Sequence, residues 1–235
     1  MKSGELLYSG KAKSVYRTGS KNEVIMVFRD DITAFDGGKK DVLSMKGSIN
    51  ARVSAFLFEY LEKNGIKTHF VELTDDCTMR VKQLDMIPLE VIVRNIAAGS
   101  LVRTYPFEEG SALSPPVIVM DYKDDSRHDP MLNNDIILAL QLVNKNELAT
   151  IRETALKINT HLMELFDTLG ILLVDFKIEF GRYEGEIYLG DEISMDSMRL
   201  WDKSTGESLD KDVYRHEKGD VMTVYQRVAE KILSK

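Results

Sequence analysis

The stretch Ile171–Asp202, ILLVDFKIEFGRYEGEIYLGDEISMDSMRLWD, constrains the fold of this chain more than any other. It opens on apolar residues and passes into strict alternation, with Val174, Phe176, Ile178 and Phe180 set against Asp175, Lys177 and Glu179. Period-two alternation is the pattern of a strand with one buried face. The other face then carries three charges at i, i+2 and i+4, all projecting to one side. An ordinary solvated face would mix in Ser and Thr. Asp-x-Lys-x-Glu, followed by Phe-Gly and then by the acidic Gly190-Asp191-Glu192, reads as a site built on a core strand. The alternative is an exposed strand with a local ion pair.

The rest of the chain can supply the core that such a strand needs. At 235 residues it suffices for one large domain or two small ones. Its 31 basic and 38 acidic residues give a formal charge of -7, which argues against nucleic acid or an anionic membrane as partner. An anionic substrate would need its own local basic groups. The one cysteine, Cys77, allows no internal disulfide and excludes a Cys-based zinc site. No apolar run approaches the ~18 residues of a membrane span, and the N-terminus lacks a signal-type apolar region. A cytoplasmic enzyme is expected.

Leu6–Tyr8, Ser14–Thr18 and Glu23–Arg29 read as strands of a small antiparallel sheet. Ser9-Gly10-Lys11-Ala12-Lys13 joins the first two. Such a loop suits phosphate, since Gly10 permits close backbone approach and Lys11 and Lys13 bring charge; two solvated surface lysines are the alternative. The GxxxxGK[ST] spacing of a P-loop is absent. Asp30–Lys40 reads as a loop in which Asp36 is a turn residue first and a polar site second. Ser48 is placed to cap a helix running to about Lys63, which is core packing. Strands at Thr68–Leu73 and Thr78–Lys82 precede a short linker, Gln83–Pro88, that reads as an interdomain hinge. Met86 there could pack on a purine or simply belong to the core.

Pro88–Arg103, PLEVIVRNIAAGSLVR, is the second dense stretch. A strand over Glu90–Ile96 carries Arg94, and the small residues up to Gly99 lead to Ser100, which could open a helix and hold an anion. Arg94 is either a phosphate ligand or the ion-pair partner of Glu90 four residues back. Val117–Tyr122 reads as a strand, and Lys123–Asn134 as a polar loop in which His128 and Asp129 are surface residues. Two amphipathic helices, Asn146–Gly170 and about Asp220–Leu233, read as covers over a sheet.

The chain resembles the SAICAR synthetase family. The residues that carry the resemblance are Gly10-Lys11-Ala12-Lys13-Ser14-Val15-Tyr16, Pro88–Ser100, Leu173–Gly181 and Gly190–Asp202. They span almost the whole chain in the family's order. Met195 stands where the family commonly has Pro.

The resemblance implies an ATP-dependent carbon–nitrogen ligase of purine biosynthesis. It would join the carboxylate of carboxyaminoimidazole ribonucleotide (CAIR) to the amine of L-aspartate, releasing ADP and phosphate. The implied fold is α+β and ATP-grasp-like. A small N-terminal antiparallel domain (1–84) would cover a larger mixed α/β domain (85–235), with the nucleotide in the cleft between them. Gly10, Lys11, Ala12, Lys13, Val15, Lys82 and Met86 would then bind ATP. Glu179 and Asp191 would hold Mg2+, which favours a few carboxylates together with phosphate oxygens and water. Arg94, Ser100 and Arg199 would hold the ribonucleotide phosphate, with Asp36 a further substrate contact. Asp175 and Lys177 would meet the substrates, Lys177 beside the developing negative charge. A homodimer is the assembly the family suggests. A kinase-like phosphotransferase is the rival enzyme class, but neither an HRD loop nor DFG is present. A non-catalytic nucleotide-binding module is the other alternative.

One geometric demand follows. Asp191 shares strand parity with Ile187 and Leu189, so a regular strand would turn it to their apolar side. Bringing it to Glu179 requires a bend, a bulge or the end of the strand at Gly190 or Asp191.

Overall fold

The computed structural model describes residues 4–34 and 38–235. The first strands are β1 (Leu6–Ser9), β2 (Lys13–Arg17) and β3 (Glu23–Phe28), as the Gly-punctuated alternation requires. Residues expected to form a loop instead form a hairpin, β4 (Asp31–Ala34) and β5 (Lys39–Val42). Buried Ile32 and Ala34 anchor it, an alternation too short to stand out among Asp and Gly. Asp36 lies outside the described residues.

Helix α1 (Lys46–Lys63) starts two residues before Ser48, and Ser48 does not cap it. Its first N–H groups are satisfied from a distance. Asp30 accepts from Met45 N at 3.3 Å and from Gly47 N at 2.9 Å, so a carboxylate from an earlier segment replaces the local cap. Strands β6 (Phe70–Asp75) and β7 (Thr78–Lys82) complete a five-stranded antiparallel sheet of order β1-β2-β3-β7-β6.

The expected hinge is mostly strand. Only Gln83 and Leu84 separate β7 from β8 (Asp85–Ile96), which carries Met86 and Pro88 within it. Pro88 is tolerated because the register shifts there, between the Glu90/Glu179 and Gly181/Met86 pairs, where the missing donor breaks no ladder. After the short α2 (Ser100–Thr104) come β9 (Ala112–Tyr122), β10 (Met131–Leu132) and α3 (Asn134–Ala139). A 3-10 turn at Asp125–Arg127 precedes β10. Helix α4 (Lys145–Thr168) is closed by a capping box between Asn144 and Glu147. Then follow β11 (Ile171–Tyr183), β12 (Glu186–Gly190), β13 (Met198–Asp202), α5 (Asp212–Arg215) and α6 (Val221–Leu233). Helix α6 packs on α1, whereas α4 covers β11 and β8. No helix among the described residues is long and apolar enough to cross a membrane.

β11 is the axis of the second, six-stranded antiparallel sheet, ordered β10-β9-β8-β11-β12 with β13 also paired to β11. Val174, Phe176, Ile178 and Phe180 are at most 1% exposed. Burial of each is worth about 1.5–3 kcal/mol. A one-residue slip would exchange all four for three charges, so the register is fixed by the core. One long edge of β11 serves two short partners, β13 along its first half and β12 along its second. The chain between them, residues 191–197, therefore emerges at a seam in the sheet beside Lys177, whose N–H donates to Ser197 O at 2.8 Å.

Candidate active site

Cross-strand pairing arranges the charged face of β11 in three rows. The first places Asp175 between Arg94 on β8 and Arg199 on β13. The middle row sets Lys177 opposite Ile92. The third sets Glu179 opposite Glu90, and Glu90 opposite Asp121 on β9. Four residues separate the outer rows, about 13 Å at ~3.3 Å per residue.

In the first row one oxygen of Asp175 accepts from Arg94 Nη1 at 3.0 Å and from Arg199 Nη1 at 2.6 Å. Arg94 Nη2 donates to Ser100 Oγ at 2.9 Å, and Arg199 Nε to Asp212 at 2.7 Å. Arg94, Ser100 and Arg199, the three that the resemblance groups, are thus brought together in space. Arg94 does not pair with Glu90, the alternative along its own strand. Arg94 Nε is buried with no hydrogen-bond partner among the described residues. Burial raises the Asp175 carboxyl, against the opposing pull of the two arginines. Gly99 (φ 61°, ψ −128°) lets the chain pass under Arg199, because a Cβ there would meet Nη2 at 2.7 Å.

The third row places carboxylates directly opposite one another, which is repulsive unless cations intervene. Two lysines do. Lys177 Nζ lies 2.5 Å from Glu90 and 3.4 Å from Glu179, and Lys123 Nζ lies 2.7 and 2.5 Å from the two oxygens of Glu179. Burial raises the Glu179 carboxyl and the Asp191 charge adds to it, with both lysines opposing. Burial would lower the Lys177 ammonium, but Glu179 and Glu90 outweigh it and hold it above its usual value. Asp121 is pushed up to about 6 by burial and by Glu90.

The irregularity demanded by parity occurs at Asp191. β12 ends at Gly190, and Asp191 turns with φ 57°. The strand end is pinned by residues 67–69: Leu189 N donates to Lys67 O at 2.9 Å, and His69 N to Leu189 O at 2.8 Å. Asp191 then meets Lys13 Nζ at 2.7 Å, and Glu192 meets the same ammonium at 3.0 Å. Burial favours protonation of Asp191, yet Lys13, Lys123 and Lys177 hold it well below the usual carboxylate range. Lys123 and Lys177 act on Glu179 as well, so the two carboxylates share one cationic environment. Two hard oxygen donors suit an ion that completes its shell with phosphate oxygens and water. Among the described residues no group of three or more His, Cys, Asp or Glu is assembled for a metal.

The first hairpin reaches this face from the five-stranded sheet. Lys11 Nζ donates to Asp125 at 2.9 Å, and Lys13 reaches Asp191 as above. Arg29 braces the loop, donating to Ser9 and Ser14 at 2.8 Å and to Gly10 O at 2.5 Å; Ala12 O accepts from Arg29 N. Val15 packs half-buried against the core. Lys82 Nζ donates to Thr68 O at 3.0 Å and stands 5.4 Å from the Tyr188 ring centroid. Met86 is exposed beside Gly190, where a Cβ would meet its sulfur at 3.2 Å. Met195, the departure from the family pattern, is buried in the core.

Several side chains of this face are given no role of their own by the sequence, Glu90 and Glu192 being named there only beside Arg94 and Asp191. Glu90 shares strand parity with Arg94 and was open to that reading, but its cation comes from the neighbouring strand. Lys123 follows Asp121 by two at the end of β9. Glu192 is adjacent to Asp191. Arg29 and Asp212 carry no local pattern at all.

Residues 6–232 match the SAICAR synthetase family. The phosphoribosylaminoimidazole-succinocarboxamide synthases of Methanoregula boonei and Methanoculleus marisnigri are 68% and 62% identical to this chain. These matches cover 99% and 100% of this chain, and 91% and 97% of the relatives. The crystal structure of the Ehrlichia chaffeensis synthase is 42% identical, with a TM-score of 0.96 over 98% of this chain and 99% of that one. A SAICAR synthetase solved in complex with ADP is 45% identical, with a TM-score of 0.95 over 98% of each chain. The chain belongs to the SAICAR synthetase family, whose members are ATP-dependent carbon–nitrogen ligases.

Proposed function

We propose that the charged face of β11 is the reaction surface on which CAIR and L-aspartate are joined with ATP, giving SAICAR, ADP and phosphate. The observation that carries this is the division of the face: a cationic row and an acidic row about 13 Å apart, with one lysine between them. In this reading the division of the chain falls at residues 84 and 85, and the nucleotide lies ATP-grasp-like between the two sheets. A homodimer in the cytoplasm is part of the same proposal.

Arg94, Arg199 and Ser100 hold the ribonucleotide phosphate. Guanidinium pairs with phosphate in a two-pronged geometry, and Arg94 Nε, without a hydrogen-bond partner among the described residues, supplies a further donor. Asp36 is a further contact to the ribonucleotide. The ATP phosphates meet Lys11 and Lys13, while Gly10 and Ala12 offer close backbone approach. Val15, Met86 and Lys82 border the base and ribose. Glu179 and Asp191 would hold Mg2+, which would supply neutralisation of the phosphate charge when bound.

A carboxylate is a poor electrophile. It reacts once one of its oxygens is destined to leave on the phosphoryl group of ATP. The aspartate amine then forms the C–N bond, and that oxygen departs with phosphate. Lys177 sits in the row between the ribonucleotide phosphate and the acidic row. Its two carboxylate neighbours keep it charged, so it can stabilise the negative charge that gathers on the reacting carboxylate. Asp175 orients the arginines and borders the substrate. Loss of one preorganised donor of this kind costs roughly 10²–10³ in kcat.

A coupled ADP-release assay tests the reading. Release should require ATP, CAIR and L-aspartate together, with SAICAR formed in equal amount. Rapid ADP release with an unrelated hydroxyl acceptor would favour the phosphotransferase instead.

A further inference from the structure

A second cationic group borders the face, and neither ATP nor the ribonucleotide accounts for it. Lys211 precedes α5 and Arg215 ends it. Lys211 has helical backbone angles (φ −59°, ψ −16°), and Arg215 N donates to its carbonyl at 3.0 Å. The two side chains are therefore i and i+4 on one helical turn, neighbours with Cβ atoms about 5–6 Å apart. Arg215 donates to one oxygen of Asp212 while Arg199 donates to the other. A single carboxylate thus links this turn to the Arg94–Asp175–Arg199 row.

On its other side Lys211 faces Asp196 and Glu192 in the loop that fills the seam beside Lys177. Both carboxylates are already committed. Asp196 holds the buried Lys46 at 2.5 Å and accepts from Tyr225 Oη at 2.7 Å. Glu192 holds Lys13 at 3.0 Å and accepts from Ser194 Oγ at 3.2 Å. Lys211 has no carboxylate within ion-pair distance among the described residues. Burial draws its ammonium below the usual lysine value; Asp196 opposes this, and Arg215 and Lys46 add to the lowering. Arg215 has Asp212, so Lys211 is the cation of this turn without an ion pair among the described residues, one carboxylate away from the phosphate row and one loop away from Lys177.

We propose that Lys211 and Arg215 form the subsite for the amino-acid substrate, a four-carbon amino dicarboxylate, and take one of its carboxylates each. The proposal rests on the ligase reading above. Two cations on one helical turn match the short spacing of the two carboxylates. Their position on the seam side of β11 leaves the amine facing the Lys177 row, opposite the strand that carries Arg94. No bond forms or breaks at this subsite. It holds and orients.

Steady-state kinetics of Lys211→Met and Arg215→Met test it. The KM for aspartate should rise roughly 10- to 100-fold, the loss of one charge-assisted contact, while the KM values for CAIR and ATP stay within about twofold. Lys211→Arg should recover most of the loss. Succinate, the same dicarboxylate without the amine, should compete with aspartate and lose inhibitory strength by a similar factor. Thermal unfolding checks that the variants fold; if a Met variant does not, the partly exposed Arg215→Gln carries the same comparison. An unchanged aspartate KM in folded variants, or a KM for CAIR that rises as much as that for aspartate, would overturn the proposal. A wild-type enzyme that releases ADP without needing aspartate would instead remove the ligase reading beneath it.

Discussion

Replacing Gly99 with Ala probes the ribonucleotide end of the face without removing a charge. At φ 61° and ψ −128° the position is open to glycine alone. An added Cβ would stand 2.7 Å from Arg199 Nη2 and 2.9 Å from Cζ and Nη1. A long side chain would normally swing aside. This one is tied at Nε to Asp212 (2.7 Å) and at Nη1 to Asp175 (2.6 Å). The positive-φ backbone costs the variant about 1–3 kcal/mol of stability whatever the neighbour does, and Arg199, in making room, gives up a charge-assisted hydrogen bond worth roughly 1.5–3 kcal/mol. The loss at Arg199, about 1.5–3 kcal/mol, corresponds to a roughly 10- to 160-fold fall in kcat/KM for CAIR, while the strain shows in the melting point. The KM for ATP should barely move, because the acidic row stands about 13 Å further along the strand. The assay is coupled ADP release with CAIR and ATP varied separately, beside thermal unfolding. A variant whose CAIR kinetics stay within twofold of wild type while its melting point falls would show that the strain is purely structural and that Arg199 is no ligand.

Three further substitutions separate the parts of the face. Glu179→Gln keeps the shape but removes the charge between Lys123 and Lys177. It should lower kcat by about 10²–10⁴-fold and raise the Mg2+ concentration needed for half-maximal rate; an unaltered Mg2+ titration would take Glu179 out of the metal set. Asn159→Ala breaks the reciprocal amide pair with Asn95 (2.8 and 2.9 Å) between α4 and β8. It should cost about 1–3 kcal/mol in urea unfolding and leave all KM values alone, so a kinetic change would contradict its purely structural assignment. Asp121, at about 6 when folded against ~3.9 unfolded, contributes stability that is present below pH 4 and lost as pH rises through 6. Asp121→Asn should therefore gain on wild type between pH 4 and 7 and then level off. Equal stability differences at pH 4.5 and 7.5 would refute this.

What was legible in the sequence was local. The alternation of β11 and the periodicity of α4 each hold their evidence within one segment, so strand, helix and buried face could be read directly. Parity, together with the Glu179–Asp191 pair that the family resemblance implies, predicts the break at Asp191, because a regular strand would point that side chain the wrong way. Where a partner comes from elsewhere in the chain, the sequence offers no such handle. Asp30 caps α1 across fifteen residues, and Ser48, the better local candidate, is not used. Glu90 stands four residues from Arg94, yet its cation is Lys177 on the next strand, because cross-strand pairing outranks spacing along a strand. The Gln83–Pro88 stretch reads as a hinge because a short apolar linker separates the strand ending at Lys82 from the next one; the new strand in fact starts at Asp85, and a register shift accommodates Pro88 within it.

The pairing of lysines with carboxylates has a consequence for how the site fills. In this structure Asp191, Glu192, Glu179 and Glu90 each hold a lysine that the anionic substrates would also claim. On the proposed reading, filling the cleft is an exchange of counter-ions. Lys13 and Lys123 pass from carboxylate to phosphate, and Lys177 to the reacting carboxylate, as Glu179 and Asp191 pass from ammonium to metal. If only the lysines moved, two buried carboxylates would lose their partners; if only the carboxylates turned, the ammonium groups would be left facing one another. Nucleotide and metal should therefore bind with positive coupling, each raising the other's affinity by the same factor.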